Sequence, residues 1–511
     1  MLAIVNSCAV VGMDAFAVKV EVDVSNGMPA FDIVGLPDTS VRESRERVRT
    51  AIKNSGYEFP LKRITVNLAP ADLKKEGATF DLPIAVGILL ATGQLRENFL
   101  SAQAMLVGEL SLDGTARRVK GALPMAAALK EFGLRSFVLP AANAKEAALP
   151  GIGEVYGIDS IAQLVRWWNG EEHLPKTEIN IEEIFSQTKT EYQLDLADVK
   201  GQEAVKRAME IAAAGGHNLL MIGSPGSGKT MLARRMNTIL PLMTLEESLE
   251  TTRIYSVAGE LPAGVALVKE RPFRAPHHTA SAASIIGGGR IPAPGEVSLA
   301  HHGILFLDEL PEYPRNVLEA LRQPLEDKVV TISRVQGKME YGASFQLIAA
   351  MNPCPCGYLG DPYRPCNCTP HQIERYRAKI SGPLLDRIDM VVNVQRVNYD
   401  EMHNQRAGDS SAEIRKRVIR ARIIQEKRLK EGGVFCNANM NRHQMQLFCG
   451  LAEDADALLR SAFVRLHLSA RSHDKILKVA RTIADLANSD EIKINHVAEA
   501  LQYRFEAKNA Q

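Results

Sequence analysis

Apolar and polar positions alternate along Ala17-Val18-Lys19-Val20-Glu21-Val22-Asp23-Val24, which predicts a half-buried strand. Ser40 to Ser55 has the spacing of a basic amphipathic helix, and Ile64 to Leu68 reads as a second strand. Phe80 to Thr92 reads as an apolar helix, and Phe137-Val138-Leu139-Pro140 as a short strand ended by proline. These elements predict a first domain over residues 1–168. From 169 to 193 the chain turns acidic and polar (Glu171, Glu172, Glu178, Glu182, Glu183), the pattern of a linker. Continuous apolar runs at Asn218–Ile222, Ile304–Leu307 and Phe345–Met351, with helical spacing from Met231 to Leu240, predict an α/β domain over 194–397. Residues 398–511 carry an almost wholly helical pattern, and the chain shows no internal repeat or low-complexity segment.

The length of 511 residues allows about two to four domains. A hydrophobic content of 46% and a charged content of 24% are those of an ordinary globular chain. The net charge of +1 gives no global electrostatic case for nucleic acid or membrane, so a polyanion site must be a local patch. Leu82 to Gly93 is too short to span a bilayer, and the N-terminus has no basic n-region, so neither membrane anchoring nor secretion is expected. Seven cysteines, an odd number in a chain this long, argue against a disulfide framework and for a reducing, cytoplasmic setting.

The chemistry begins at Gly223-Ser224-Pro225-Gly226-Ser227-Gly228-Lys229-Thr230, which fits G-x-x-x-x-G-K-S/T between a predicted strand and a predicted helix. Glycines let backbone N–H groups curl around phosphates, and the helix N-terminus adds its positive end. Lys229 would reach the β/γ-phosphates and Thr230 would help hold Mg²⁺, so ATP and Mg²⁺ are the expected cofactors. Farther on, the apolar run Ile304–Leu307 ends in Asp308-Glu309, the carboxylate pair that phosphoryl transfer needs. Asp308 would support Mg²⁺ through its water, and Glu309 would polarise the attacking water. A third strand ends at Asn352, a polar tip suited to bridge the γ-phosphate and that water.

Two arginines follow: Arg387 in Ser381-Gly382-Pro383-Leu384-Leu385-Asp386-Arg387-Ile388-Asp389, and Arg471 before the helical pattern from His473 to Leu486. This order resembles the AAA+ ATPase superfamily. The resemblance implies that Asn352 is sensor 1, Arg387 the trans-acting finger and Arg471 sensor 2 in a helical lid, with Gln202 of Val199-Lys200-Gly201-Gln202 near the adenine. It also implies a ring, usually a hexamer, whose sites are completed by neighbours.

A glycine-rich insertion runs from Arg271 to Arg290, and Val329–Arg334 with Gly337–Tyr341 reads as a hairpin turning near Gln336-Gly337. Both features resemble the AAA+ branch of magnesium chelatase subunits and replicative helicases, where they line the central pore. More closely, Arg274-Ala275-Pro276-His277-His278, Met351-Asn352-Pro353-Cys354-Pro355-Cys356-Gly357 and Ser381–Asp389 resemble the YifB/ComM family over essentially the whole chain. That resemblance implies a hexameric DNA helicase promoting branch migration in recombination of incoming single-stranded DNA. Arg334 and Lys338 on the hairpin could follow a phosphate backbone. A second basic stretch, Arg415-Lys416-Arg417 to Lys430, is read more plainly as a solvated or intersubunit face. His277-His278 and His301-His302 are read as shaping the insertion rather than as metal ligands.

Cys354-x-Cys356 and Cys366-x-Cys368 place four soft ligands in one Gly/Pro-rich loop, which suits structural zinc, although C-x-C is tighter than the usual spacing. In the first domain, Gly108–Gly114 and Lys74-Lys75-Glu76-Gly77 resemble the Lon protease domain and its relative in RadA. That implies a ribosomal protein S5 domain 2-like fold. Asp81 aligns near the family's serine and Pro124 near its lysine, so proteolysis is not expected. The expected architecture is therefore an S5 domain 2-like domain, an AAA+ P-loop α/β core and a helical lid. The expected function is an ATP-driven motor on single-stranded or branched DNA; the alternative is a chelatase-type ATPase that remodels a protein partner.

Overall fold

The computed structural model describes residues 1–186, 193–262, 264–289, 292–334, 337–397, 408–430 and 436–510. They form two compact units that the chain enters alternately. The first holds 1–188, 244–269 and 331–341; the second holds 189–243, 270–330 and 342–511. The molecule is a mixed α/β protein with a helical C-terminal region, and among the described residues no helix is long and apolar enough to cross a membrane.

In the first unit, strands β1 (Leu2–Val11), β2 (Asp14–Ser25), β3 (Ala30–Val34), β4 (Arg63–Ala69), β5 (Ala104–Leu106), β6 (Ser136–Pro140) and β7 (Glu154–Ile158) form one sheet. Its order is β3-β4-β2-β1-β5-β6-β7, with β1, β2 and β4 antiparallel and the other pairs parallel. The alternation read in the sequence is real: Val18, Val20, Val22 and Val24 are all buried. Helix α2 (Asp81–Ala91), buried along its whole length, lies on that face. It comes so close that a Cβ on Gly87 would sit 2.5 Å from Val22 Cγ2, which explains glycine there. Helix α1 (Thr39–Asn54) is N-capped by Asp38 and buries Val41, Val48, Ala51 and Ile52. The acidic stretch carries a short helix, Ile181–Ser186, whose Ile181, Ile184 and Phe185 pack with Leu245 and Leu249.

The second unit is built on β8 (Leu219–Ile222), β9 (Phe273–Arg274), β10 (Ile304–Leu307), β11 (Gln346–Met351) and β12 (Met390–Asn393), all parallel in the order β9-β10-β11-β8-β12. Every residue of β8, β10 and β11 is buried, as a sheet covered on both faces requires. Helix α3 (Glu203–Gly215) and helix α4 (Lys229–Ile239) share one apolar cluster with the sheet and with C-terminal helices α5 (Ser411–Leu429) and α6 (Ala470–Leu486).

Much of the basic stretch on α5 is structural. Arg422 donates to Ala213 O at 2.8 Å and Gln425 to Ala214 O at 3.1 Å, capping the carbonyl end of α3. Arg417 pairs with Glu210 and Asp409, and Arg428 pairs with Asp485 at 2.7 Å. Asp485 also receives Arg481 at 3.1 Å, and its side chain is fully buried. The segments Val329–Arg334 and Gly337–Gly342 pair as a two-stranded sheet. Lys338 on it is exposed and pairs with Glu340 at 2.7 Å. The Arg334 side chain, Gln336 and Arg290 lie outside the described residues.

Removing Asp485 leaves the Arg428 and Arg481 guanidinium groups uncompensated among the C-terminal helices. Asp485→Ala should destabilise the second unit by about 3–5 kcal/mol, read as a fall in its denaturant midpoint. An unchanged midpoint would show that the network holds nothing together.

Candidate nucleotide site

Parallel strands end on the same edge, and β11 lies between β10 and β8, with Leu219 opposite Ile348 and Leu305 opposite Leu347. Gly223, Asp308 and Asn352, each the residue after its strand, are therefore brought together. The edge where strands end is where α/β sheets bind ligands. Lys229 Nζ donates to Gly223 O at 2.7 Å, Ser224 O at 3.1 Å and Asn352 Oδ1 at 3.2 Å. Thr230 Oγ1 donates to Asp308 Oδ2 at 2.6 Å. Burial lowers the Lys229 pKa, while Asp308 and Glu309 pull it back up. Gln202 also faces the loop, its amide donating to Ser227 O at 3.5 Å and to Gln395 O.

The residues fit a phosphate and its cation. Gly226 and Gly228 have φ of 78° and 91°, and a Cβ on Gly226 would meet only open space. Ser227 Oγ is buried without a hydrogen-bond partner among the described residues. Thr230 and Asp308 already share a hydrogen bond, as two oxygen donors around one Mg²⁺ would lie side by side.

Glu309 sits in the left-handed region at φ 52°, a conformation that costs a non-glycine residue about 1–2 kcal/mol. Such strain is concentrated at functional sites. Its carboxylate lies 3.3 Å from His278 Nδ1, and the His278 ring stands edge-on to Tyr313 at 6.4 Å. The Tyr313 hydroxyl donates to Pro276 O at 2.6 Å, tying the insertion to the turn after β10. Burial, then Asp308 and Glu309, raises the Tyr313 pKa.

Arg387 and Arg471 are elsewhere. They line one cavity of about 500 Å³ together with Gly216, Asn218, Glu326 and Asp386, and no P-loop residue lines it. Arg387 pairs with Glu326 and donates to Pro383 O at 2.6 Å; Arg471 lies 3.3 Å from Asp386. Asn218, the residue before β8, donates to Arg387 O at 2.9 Å, so this cavity opens at the start of the strand whose end carries the P-loop. Four strand residues separate the two edges, about 13 Å along the strand.

The four cysteines are brought together as expected. Cys354, Cys356, Cys366 and Cys368 have all their sulfurs within 4.8 Å of one another, with separations of 3.4 Å and 3.6 Å among the first three. A tetrahedral site with Zn–S of about 2.3 Å has sulfur edges of about 3.8 Å, so the donors fit. Backbone N–H groups of Cys356 and Cys368 point at the Cys368 and Cys366 sulfurs at 3.4 Å. The Cys356 thiol is pulled down to about 6, chiefly by the backbone N–H of Tyr358, whereas burial and the neighbouring thiols push Cys366 up to about 12 and raise Cys368. The sequence reading overlooked Arg396, which donates to Pro225 O of the P-loop, and Asp361, which pairs with it; isolated charges in irregular segments carry no pattern to find them by.

Comparison with known proteins agrees with this geometry. The family described as magnesium chelatase, subunit ChlI, matches residues 195–402; subunit ChlI of Mg-chelatase matches 20–143, and the ChlI C-terminal family matches 408–504. Fold and site thus define an ATPase of the magnesium chelatase type. Competence protein ComM of Haemophilus influenzae is 46% identical over 506 residues, covering 98% of this chain and 97% of that protein. The YifB proteins of Salmonella typhimurium and Escherichia coli are 46% and 44% identical over 505 residues, again 98% of this chain and 97% of theirs. The chain belongs to the ComM/YifB family. An archaeal Lon protease of Halobacterium salinarum is 42% identical over 57 residues, 11% of this chain and 8% of that protein.

Lys229→Ala should weaken ATP turnover by about a hundredfold or more, through lost phosphate contact. Glu309→Gln should bind ATP normally but hydrolyse it about a hundredfold or more slowly. Normal hydrolysis by Glu309→Gln would remove that residue as the base.

Proposed function

We propose that the protein is a ring-forming ATPase that uses ATP with Mg²⁺ to drive movement along single-stranded or branched DNA, as in branch migration during recombination of incoming DNA. Lys229, Thr230 and the P-loop backbone grip the nucleotide, with Gln202 beside it. Asp308 supports the metal, and Glu309 and Asn352 orient the attacking water. Arg387 and Arg471 act on the nucleotide of a neighbouring copy. Carrying this reading is one observation: both arginines line a cavity at the starting edge of the sheet, whereas the P-loop is at the finishing edge. Arginines fixed there complete a site only in another subunit, which is the arrangement a closed ring supplies. The hexamer is the ring size that the family resemblance implies.

DNA as the substrate is supported by likeness to a competence protein along the full chain and by the exposed Lys338. Arg334 belongs to the same hairpin. We further infer an S5 domain 2-like first domain, an AAA+ core and a helical lid, with zinc bound by Cys354, Cys356, Cys366 and Cys368.

Arg387→Ala and Lys229→Ala should each be inactive alone. Mixed together they should regain ATPase activity, because an intact P-loop then faces an intact arginine across some interfaces. Failure to complement, or normal hydrolysis by Arg387→Ala, would refute action in trans. In the same assay, single-stranded or branched DNA should stimulate hydrolysis, and Lys338→Ala should lose the stimulation while keeping the basal rate. Indifference to every DNA form would instead favour a protein client remodelled in the manner of chelatases.

A further inference from the structure

The stretch between β11 and the helix Pro370–Arg377 has neither helix nor strand, yet it is folded tightly against the P-loop. Gly357, at φ 85°, lies so close that a Cβ there would be 2.6 Å from Pro225 Cδ. Asp361 lies beside the Ser224 side chain and accepts hydrogen bonds from the backbone N–H groups of Tyr363 at 2.9 Å and Arg364 at 3.1 Å. Arg396, just beyond β12, reaches Asp361 with Nε at 3.2 Å and donates from Nη2 to Pro225 O at 3.1 Å. Its guanidinium also lies 5.7 Å from the centre of the Tyr358 ring, with Arg364 at 4.2 Å from the same ring. Pro225, next to Ser224, is thus held between the sheet, through Arg396, and the cysteine loop, through Gly357 directly and Asp361 by way of Arg396.

What orders the loop is not an apolar core. Leu359 and Tyr363 are exposed, and among its cysteines Cys354 alone is buried. A segment this irregular must offset its conformational entropy in another way, and four converging thiols offer a metal for that purpose. The chain enters the loop at Cys354, two residues after Asn352, so the loop is fixed to the tip of β11 at one end.

We propose that zinc at the four cysteines braces the nucleotide pocket, and that Asp361 and Arg396 are positioning residues through which the brace fixes Ser224 and Pro225, a role that rests on the four thiols holding zinc. The brace sets the P-loop backbone before nucleotide arrives, so its loss appears as weaker nucleotide binding rather than slower chemistry once ATP is bound.

The test uses the full-length protein, purified reduced, with zinc content and binding of a fluorescent ATP analogue measured at excess Mg²⁺. About one zinc per chain is expected. Its withdrawal by a zinc-selective chelator should weaken analogue binding about tenfold or more, and adding zinc back should restore it. Because cysteine variants risk misfolding, Asp361→Asn is the companion. It should keep its zinc and its melting temperature while raising the KM for ATP about tenfold, with kcat at saturation little changed. Analogue binding that is unchanged by zinc withdrawal, or a normal KM in Asp361→Asn, overturns the brace while leaving zinc as a separate local staple. Protein that carries no zinc overturns the metal reading itself.

Discussion

The placement of β11 between β10 and β8 is the constraint on which the second unit depends. Because all five strands are parallel, the insertion sets the Asn352 tip between the P-loop and Asp308 without any long-range adjustment of loops. Lys229 can then touch Gly223 O and Asn352 Oδ1 at once, and Thr230 can reach Asp308. The same parallelism separates what it does not join. A side chain anchored near Asn218 stands at the other edge, and no rotamer of Arg387 crosses a buried four-residue strand to the P-loop of its own chain. Sheet direction is thus the physical reason for reading the two arginines as serving a neighbour.

Charge burial is handled in one consistent way across both units. Lys229 is buried against two backbone carbonyls and an amide oxygen. Asp485 is buried against Arg428 and Arg481, which join the lid to its own helices. Asp81 is buried against Arg47 at 2.8 Å, the Ser44 hydroxyl and the Leu110 N–H. Each is hydrogen-bonded or ion-paired where it is buried, since an unpaired buried charge would destabilise the surrounding core by several kcal/mol. The pair Lys338–Glu340 is of another kind: both side chains are more than half exposed, so the lysine is released from its partner at little cost.

Apolar runs made the nucleotide edge legible in the sequence. Strands β8, β10 and β11 are buried throughout, so their residues had to read as continuous hydrophobic segments, and the chemistry sits on the residue that follows each one. Strand β1 escaped notice because its pattern is broken: Asn6, Ser7 and Cys8 interrupt the alternation, although Ser7 and Cys8 are both buried. Strands β3 and β7 are short and lie at or near the ends of the first sheet, where one-sided burial leaves little signal. The basic density of α5 was visible, but not its use: Arg417, Arg422 and Arg428 turn to α3 and the lid, contacts made by residues some 200 positions apart for the first two. Asp361 and Arg396 were illegible for the same reason, since only the folded loop brings Asp361 to Arg396 and Arg396 to Pro225.

In the first unit one buried carboxylate sets which face a helix presents. Asp81 begins α2 beneath α1, and its two oxygens are occupied by Ser44, Arg47 and the Leu110 N–H. Held on every side, the carboxylate is not free to turn to solvent, and its ion-pair partner Arg47 also lies 4.0 Å from Glu43. Asp81 instead fixes the roll of α1 about its axis, because Ser44 and Arg47 are one turn apart on it. With Val41, Val48 and Ile52 turned into the core, that roll sends Arg42, Arg45, Arg49 and Lys53 outward together. In a chain whose net charge is +1 overall, this local cationic face, with exposed Glu46 beside it, is oriented by a buried anion.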